Sequence, residues 1–409
     1  MKVLALTQVL PYPLDAGPKL RAYYVLRYLA ERGHCVDLLS FVRPDDTPDR
    51  IAHLQQFCHT VHTFPMQRSR WKDAGFLAQA VLSRRSFIIG RDTRPAMHAR
   101  VQQLLSQGHY DVVHADQLWM AQYALGCHGV KRVLDQHNAV YLIPQRLAQH
   151  ESNVFKRLLL KREARLLAQY EAEACCRFDQ VVTVTEEDRR ALLALCDGRV
   201  GQSTGADLAD RMPVIPICVD PREKPVVTRR PEARRILILG TMFWLPNVEG
   251  ALWFGRQVWP QIAAQVPDAR LTIIGKNPPP AVCRLAEGDP HIEVPGYVAD
   301  LRPYLEQSAV FVVPLHAGGG MRVKIVDAWC WGLPIVSTSI GAEGIQVRHG
   351  QNILIADEAP AFARAVLQVL QDGDLAARLS THGRAWVEQR YDWRTVYRQW
   401  DQVYANLGR

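Results

Sequence analysis

The feature that most limits the fold is a regular alternation of short apolar runs with segments of helical periodicity. Residues 2–7 form an apolar run of strand length, residues 20–32 carry apolar side chains at helical spacing, and residues 35–41 form the next run. Similar runs follow at residues 110–114, 132–135 and 180–185. Strands that alternate with helices form parallel sheets covered on both faces, so the sequence predicts an α/β fold.

A second series of the same kind begins near residue 235. Its predicted strands lie at residues 235–239, 270–274, 292–294, 310–313, 335–338 and 353–355. Residues 220–234, between the two series, hold three prolines, charges of both signs and no periodicity, which is typical of a linker. The 409 residues therefore predict two doubly wound α/β domains of similar size. Ligands of such sheets bind at the carboxyl ends of the strands, so the loops after strands are where chemistry is expected.

Composition and charge narrow the classes of protein that this chain can belong to. Of its residues 48% are hydrophobic and 22% are charged, as in a globular protein rather than a disordered, collagen-like or coiled-coil chain. No apolar run approaches the roughly 20 residues of a membrane-spanning helix, and the N-terminus does not resemble a signal peptide. We therefore expect a cytoplasmic protein. The nine cysteines lack zinc-site spacing, and in that compartment we expect them to be reduced thiols. The net charge of +8 favours anionic partners such as nucleotide phosphates, anionic lipid headgroups or nucleic acid.

The strongest local feature is three consecutive glycines, at residues 318–320, between the predicted strand at 310–313 and a helical segment. Glycines let backbone N–H groups approach a ligand closely, and the helix that follows opens with Arg322 and Lys324, a combination that favours a phosphate or diphosphate. Asp327, one turn further on, is placed to accept hydrogen bonds from a ribose. The alternative is a flexible turn with a surface ion pair between Lys324 and Asp327. The pattern is neither a Walker A loop nor the dinucleotide-binding GxGxxG, which disfavours P-loop hydrolysis and NAD binding.

Three other loops carry candidate residues. His137 follows the predicted strand at 132–135, where it can donate a hydrogen bond to a sugar hydroxyl or a phosphate; the alternative is a loop histidine with structural partners only. Gly17 lies in the first loop. Gly240 lies in the loop that opens the second series, where it permits close backbone approach. Asn247 has the position of a helix N-cap.

Together these residues resemble the GT-B-fold glycosyltransferases of family 4, which are retaining and use nucleotide sugars, over nearly the whole chain. The motifs that carry the resemblance are the early glycine loop (11–21), Asp135-x-His137-Asn138, the run 181–188, Val214-Ile215-Pro216-x-x-Val219-Asp220, residues 240–253, Gly296-x-Val298-x-Asp300, residues 318–328 and Gly332-x-Pro334-Ile335-Val336. The resemblance implies two Rossmann-like domains that face across a cleft: an acceptor-side domain at residues 1–222, completed by a C-terminal helix (391–409) that crosses back to it, and a donor-side domain at 223–390.

The resemblance also implies a role for each candidate residue. His137, Arg322 and Lys324 would be catalytic: His137 would hydrogen-bond the donor near the reacting centre, and the two cations would neutralise the leaving diphosphate. The donor-binding residues would be Gly17, Gly240, Val298, Gly319, Gly320, Arg322, Lys324 and Asp327. Gly17 would approach the sugar or the diphosphate, Asp327 would bind the ribose, and the Val298 region would flank the base. No cofactor and no metal are implied, because protein cations take the electrostatic task.

Two motifs depart from the family's pattern. Gly319 stands where the first glutamate of the paired acidic motif is found, and Asp327 replaces the second glutamate. The interdomain segment has Ile217 and Cys218 where the family has Asn and Gly. The implied function is retaining transfer of a sugar from a nucleotide sugar to a saccharide or lipid-linked saccharide, of hexosyltransferase type, in glycan or exopolysaccharide biosynthesis. The nucleotide base, the sugar and the acceptor stay open.

The remaining sequence features concern the acceptor and the rival functions. Residues 154–167 have the pattern of a basic amphipathic helix. Such a helix can lie on an anionic membrane at the cytoplasmic face, but a domain helix with a solvated basic face has the same pattern and is the favoured interpretation. A nucleotide-sugar 2-epimerase of the same fold and an inactive polyanion-binding scaffold are the rival functions. Asp372-Gly373-Asp374, the one Asp-x-Asp sequence, has the setting of a helix-capping turn rather than a metal site. Nucleic-acid binding is not expected, because the positive charge is dispersed and no RNA- or DNA-binding motif is present.

Overall fold

The computed structural model describes residues 1–66, 76, 85–197, 205–230, 232–242 and 244–408. The chain divides into two compact units. Unit 1 comprises Met1–Cys218 and Val396–Arg409, and unit 2 comprises Val219–Thr395. Each unit is built on one six-stranded sheet, and every strand pair in both sheets is parallel. The predicted α/β class with two Rossmann-like domains is therefore confirmed.

The sheet of unit 1 has the strand order β3-β2-β1-β4-β5-β6. Its strands are β1 (Lys2–Thr7), β2 (Cys35–Val42), β3 (Thr60–Pro65), β4 (Val112–Asp116), β5 (Lys131–Gln136) and β6 (Gln180–Thr183). The sequence predicted all of these except β3. That strand lies at the edge of the sheet and its side chains are only partly buried, so its sequence lacks the continuous apolar run of a central strand.

Helices cover the sheet of unit 1. They are Gly17–Glu31, Pro48–Leu54, Phe87–Gly90, Pro95–Gln107, Leu118–Ala124, Leu142–His150, Val154–Arg177, Glu186–Cys196, Gly205–Asp210 and, at the C-terminus, Gln399–Asn406. The first of them begins three residues before the predicted start, because Pro18 is accommodated in its first turn, where its missing N–H costs nothing.

The C-terminal segment packs on unit 1 through aromatic side chains. Trp400 and Tyr404 are buried, and the hydroxyl of Tyr404 lies 2.9 Å from Nδ1 of His114 on β4. At the surface Arg32 and Asp401 form an ion pair of 3.0 Å. The chain from Val396 onward belongs to unit 1, in agreement with the predicted return of the C-terminal helix to the first domain. The predicted range 391–409 contains two short helices, Trp393–Val396 and Gln399–Asn406, and its first five residues belong to unit 2.

The sheet of unit 2 has the order β12-β11-β10-β7-β8-β9. Its strands are β7 (Arg235–Leu239), β8 (Arg270–Ile274), β9 (Ile292–Gly296), β10 (Ser308–Val313), β11 (Ile335–Ser337) and β12 (Leu354–Ile355), all at predicted positions. Its helices are Leu245–Trp253, the π-helical Phe254–Val258, Trp259–Ala263, Pro280–Gly288, Arg302–Glu306, Val323–Cys330, the 3-10 turn Ile340–Ala342, Ala359–Gln371, Gly373–Arg390 and Trp393–Val396. The carboxylate of Asp372 accepts a hydrogen bond from the Leu375 amide at 2.9 Å, so the predicted capping turn is confirmed.

The predicted linker at 220–234 contains neither helix nor strand in its described residues, and it lies against unit 2. The Val227 amide donates to the Trp331 carbonyl at 3.0 Å, and the Arg230 amide donates to the Glu306 carbonyl at 2.9 Å. One of its prolines, Pro231, lies outside the described residues. These hydrogen bonds attach the segment to the unit that carries the glycine-rich loop.

Parallel strands place their following loops at one edge of each sheet. In unit 1 the neighbouring strands β4 and β5 lead to Asp116 and His137, and in unit 2 the neighbouring strands β7 and β10 lead to Gly240 and the three glycines. Among the described residues, no helix combines the length and the apolar character needed to span a membrane.

Candidate functional site

The loop between β10 and the helix Val323–Cys330, residues 314–322, is here called the glycine loop. Gly318 and Gly320 have φ angles of 129° and 73°, a region that L side chains rarely adopt. A Cβ atom added to Gly318 would also lie 2.6 Å from Nη2 of Arg322 and 2.9 Å from the Trp244 ring. Glycine is therefore required in this loop by both backbone conformation and space.

Arg322 is buried immediately before the helix and is fixed by the glycine loop itself. Its Nη1 donates to the carbonyl of Gly319 at 2.5 Å and to that of Gly320 at 2.9 Å. The guanidinium carbon lies 5.7 Å from the centre of the Trp244 ring, within cation–π range. In this arrangement the glycine carbonyls orient the cation, a contact that the sequence did not predict.

Lys324 lies in the first turn of the same helix and its ammonium group reaches the end of β7. Nζ donates to the Leu239 carbonyl at 2.8 Å and to Oδ1 of Asn247 at 2.9 Å. Burial, followed by the nearby charge of Arg322, lowers the pKa of Lys324 to about 7. These acceptors are both neutral, so the site holds a desolvated ammonium beside a guanidinium, and an anion that bound there would stabilise the charged form of the lysine.

Gly240 makes room for this ammonium group. A Cβ atom at position 240 would lie 2.7 Å from Nδ2 of Asn247 and 2.9 Å from Nζ of Lys324. The prediction that Asn247 caps a helix is wrong. The helix Leu245–Trp253 begins earlier, with Trp244 at the cap position and Pro246 in the first turn, and Asn247 instead donates to the Thr241 carbonyl at 2.9 Å while accepting from Lys324. Phe243 lies outside the described residues.

Asp327 is paired with Lys224, a residue 103 positions away in the sequence. Burial alone would lower the pKa of Lys224, but the charge and the hydrogen bond of Asp327, together with the nearby Cys330 and Glu223, raise it. The surface ion pair between Lys324 and Asp327 that the sequence left open is not formed, because Lys324 points to Leu239 and Asn247. The predicted contact of Asp327 with a ribose stays a prediction.

The two remaining donor-binding candidates lie in different units. Val298 is half-buried in the turn after β9, next to Tyr297, whose side chain is 71% exposed. Gly17 is the first residue of the helix Gly17–Glu31 in unit 1, and an ion pair of 2.9 Å joins Asp15, in the loop before the helix, to Lys19 in its first turn. Their roles toward a ligand also stay predictions.

His137 is buried after β5, beside two carboxylates. Its Nε2 lies 2.9 Å from Oδ1 of Asp116 and 3.8 Å from Oδ2 of Asp135. Neither ring nitrogen makes an aligned hydrogen bond with another described residue. Buried polar atoms are usually satisfied, so a histidine left in this state is a candidate for contact with a ligand.

Asp135 forms a buried ion pair with Arg21, which lies on the helix Gly17–Glu31. The guanidinium binds the carboxylate with two hydrogen bonds of 2.9 Å, and its Nη1 donates to the Pro216 carbonyl at 2.7 Å. The Tyr397 and Trp400 rings lie 5.2 and 5.1 Å from the guanidinium carbon. Burial would raise the pKa of Asp135, but the charge and the hydrogen bonds of Arg21, together with the neighbouring His137 and His114, hold the pKa below its ordinary value.

The backbone of the His137 loop is fixed by two further buried acidic side chains. The amides of Val140 and Tyr141 donate to Glu171 at 2.7 and 2.8 Å, and the Ala139 amide donates to Asp188 at 2.8 Å. Burial raises the pKa of Glu171 to about 8. The loop therefore has little freedom, and the ring of His137 is presented in a defined place.

Asp116, Asp135 and His137 also have the spacing of metal ligands. In the described part of the chain, each offers an atom within 4.8 Å of the others. The guanidinium of Arg21 already occupies both oxygens of Asp135, which places a fixed positive charge beside the group and disfavours a cation there.

Both halves of the chain match models of known glycosyltransferases. The model of Glycosyltransferase Family 4 matches residues 17–223, about half of the chain, and the model of Glycosyl transferases group 1 matches residues 233–372. The chain belongs to Glycosyltransferase Family 4. The resemblance found in the sequence is thus confirmed, and the protein is a glycosyltransferase.

Individual relatives agree with this assignment. The chain is 22% identical over 410 residues to an uncharacterised 44.6 kDa protein in the cps region of Klebsiella pneumoniae, covering 97% of this chain and 98% of the relative. It is 37% identical over 92 residues to the lipopolysaccharide core biosynthesis glycosyltransferase LpsE of Rhizobium meliloti, covering 22% of this chain and 26% of the relative. HepE of Anabaena, solved in complex with UDP, is 16% identical, covers 99% of this chain and 100% of its own, and superposes with a TM-score of 0.67. This last likeness shows the GT-B fold.

Sequence reasoning on this glycosyltransferase missed several residues that shape the two sites. Asp116 ends a predicted strand region next to that of His137, so the strand-end rule was sufficient to find it. Arg21 and Lys224 had no such signal, because their partners Asp135 and Asp327 are more than 100 residues away. Trp244 lies between the candidates Gly240 and Asn247, but nothing in the sequence marks it as a partner of Arg322.

Proposed function

We propose that this protein transfers a sugar from a nucleoside diphosphate sugar to an acceptor hydroxyl, with retention at the anomeric carbon and without a metal ion. The observation that carries the proposal is the buried ammonium of Lys324, held by neutral acceptors beside Arg322 at a glycine-lined loop. A diphosphate is the ligand that best complements two adjacent cations of this kind. The complexes of HepE with UDP and with UDP-glucose support a nucleotide sugar as the donor.

The chemistry follows from the charge that develops in the reaction. When the anomeric C–O bond breaks, positive charge grows on the sugar and negative charge on the departing diphosphate. Arg322 and Lys324 stabilise that anion from fixed positions, which lowers the barrier without a nucleophilic side chain. The acceptor oxygen forms the new bond on the same face, and its proton passes to an oxygen of the leaving phosphate.

The other candidates take supporting roles in this proposal. Residues 223–390 form the donor side. There Asp327 releases Lys224 when the donor binds and accepts hydrogen bonds from the ribose hydroxyls instead, and the turn at Val298 lies beside the base. Residues 1–222 form the acceptor side, where His137 hydrogen-bonds the donor sugar and Gly17 permits close approach to the sugar or the diphosphate. The Gly319 and Gly320 backbone and Gly240 shape the space around the two cations.

The test is donor binding and transfer by Arg322→Ala and Lys324→Ala. Each variant is expected to lose transfer by about 100-fold or more, because each leaves developing negative charge uncompensated. Arg302→Ala is the matched control, since Arg302 is an exposed arginine of the same unit that pairs with Glu306. Wild-type turnover in both site variants would contradict the assignment.

Binding measurements separate the proposal from its rivals. Calorimetry with UDP, GDP and ADP is expected to show a preference for one base, whereas a polyanion-binding scaffold would show none. Incubation of the protein with the preferred nucleotide sugar and no acceptor is expected to give slow hydrolysis. Formation of the 2-epimer instead would support the epimerase.

We further propose that the acceptor is a saccharide or lipid-linked saccharide, met at the cytoplasmic face of an anionic membrane. The first half of the helix Val154–Arg177 presents Phe155, 80% exposed, and Leu158, 58% exposed, together with the exposed Lys156 and Lys161. Apolar side chains flanked by cations fit the interface of an anionic bilayer better than they fit bulk water. The name of LpsE, in lipopolysaccharide core biosynthesis, supports a glycolipid-type acceptor.

Vesicle flotation tests the membrane contact. Wild-type protein is expected to float with phosphatidylglycerol vesicles and not with phosphatidylcholine vesicles, and a Phe155→Ser, Leu158→Ser double variant is expected to stay in solution. Val226→Ser, which changes an exposed apolar side chain of unit 2, is the control and is expected to float like the wild type. Equal recovery of wild type with both vesicles would remove the support for this partner.

A further inference from the structure

Asp116 is a buried carboxylate that the transfer chemistry above does not use. It ends β4 and is the register partner of Asp135 on β5, so it lies at the same sheet edge as His137. Its Oδ1 is 2.9 Å from Nε2 of His137, and both side chains are almost completely buried. A carboxylate this close to an imidazole in a low-dielectric place controls where the ring carries its proton.

Of the two carboxylates near the ring, Asp116 is the one available to it. Both oxygens of Asp135 are engaged by Arg21, and the nearer of them is 3.8 Å from Nε2. The Oδ2 of Asp116 accepts a hydrogen bond from Nε2 of Gln117 at 3.3 Å, which leaves Oδ1 beside the histidine.

The backbone next to Asp116 is strained. Gln117 has a φ of 69°, a left-handed value that a residue other than glycine adopts at a cost. Its amide donates to the Asp135 carbonyl at 2.9 Å, which ties the end of β4 to β5. Strain of this kind is found where the surrounding structure holds a functional group in place.

We propose that Asp116 is a positioning residue for His137: the charge of its carboxylate, 2.9 Å from Nε2 although not aligned as a hydrogen bond, favours an N–H on that nitrogen and leaves Nδ1 for the bound sugar. This inference rests on the proposed function, in which His137 contacts the donor. The other titratable groups that face the pair are Arg21, Asp135 and His114. The His114 ring is hydrogen-bonded to the Tyr404 hydroxyl, and burial lowers the pKa of His114. The His114 ring therefore stays neutral and does not compete with His137 for Asp116.

The test reads the tautomer of His137 directly. In ¹⁵N-labelled protein, His137→Gln identifies the ring signals of His137, and spectra are recorded at a pH where that ring is neutral. Wild type is expected to show the proton on Nε2. Asp116→Asn, which keeps the shape and removes the charge, is expected to move a large share of the proton to Nδ1 and to lower kcat by about 100-fold, with KM for the nucleotide sugar changed little.

A matched variant separates positioning from general damage. Asp37 is a buried carboxylate on β2 that accepts from the Tyr110 hydroxyl at 2.7 Å, away from the His137 loop. Asp37→Asn is expected to lower stability while the tautomer of His137 and kcat stay as in wild type. Should Asp37→Asn shift the tautomer as Asp116→Asn does, Asp116 would have no specific role.

Three results would overturn the proposal. The first is a wild-type His137 ring that carries its proton on Nδ1. The second is an Asp116→Asn variant whose His137 tautomer or kcat is identical to that of wild type. The third is a Zn²⁺ titration in which one equivalent binds the ring of His137 and restores or raises activity. If no variant and no wild-type sample transfers sugar, the proposed function fails, but the ring measurement still decides the role of Asp116.

Discussion

The pKa of Lys324 gives a prediction that involves only this site and its ligand. In the free protein, burial and the charge of Arg322 lower this pKa to about 7. A diphosphate that contacts the ammonium raises it, so binding takes up a proton wherever the free lysine is neutral. With a pKa near 7, the expected uptake is about 0.1 proton at pH 6, about 0.5 at pH 7 and about 0.9 at pH 8.

The same linkage fixes how affinity changes with pH. If the ammonium form binds the donor, Kd is nearly constant below pH 7 and rises about tenfold for each pH unit above it. A nucleotide sugar is the right ligand, because its diphosphate has no group that titrates near neutrality, whereas UDP has one. The complex favours the protonated form of Lys324, so the affinity for the donor falls as the pH rises.

The assay is titration calorimetry of the donor in buffers with different heats of ionisation, which gives the protons exchanged at each pH. Lys324→Met removes the titrating group and is expected to abolish the uptake, while Arg302→Ala is expected to keep it. Proton uptake that is absent at pH 8, or that persists in Lys324→Met, would refute the reasoning about this lysine.

Two further predictions concern packing around the two sites. Gly240→Ala places a methyl group 2.9 Å from Nζ of Lys324, so we expect donor affinity to fall at least about tenfold and stability by about 1–2 kcal/mol, measured by calorimetry and urea unfolding; unchanged affinity would show that the ammonium is mobile. Arg21→Met leaves the carboxylate of Asp135 buried without its partner, so we expect urea unfolding to show a loss of about 3–5 kcal/mol at pH 7 that shrinks at acid pH, where Asp135 is protonated; a loss independent of pH would contradict the pairing.

The fold was readable from the sequence because buried parallel strands are continuous apolar runs. Every central strand has such a run, and among the strands of the described residues only β3, half-buried at an edge, was not predicted. The positions of His137, Lys324 and the three glycines after strands were equally readable, because the loops after parallel strands share one edge of the sheet.

The partners of these residues could not be predicted from the sequence, because the pairing depends on contacts between distant parts of the chain. No feature of the local sequence distinguishes a lysine that pairs with Asp327 from one that does not. In the structure the partner of Asp327 is Lys224 and not Lys324. Asparagine is a common N-cap residue, but the helix begins at Leu245, because Pro246 fits its first turn. Asn247 therefore lies inside the helix, and its side-chain oxygen accepts a hydrogen bond from Lys324.

A crystal structure of this protein with a bound nucleoside diphosphate would test the central claim most directly. The account predicts diphosphate oxygens within hydrogen-bonding distance of Nζ of Lys324 and of the Arg322 guanidinium, at the glycine loop. A diphosphate bound elsewhere, with both cations still engaged only by the protein groups that hold them here, would contradict it.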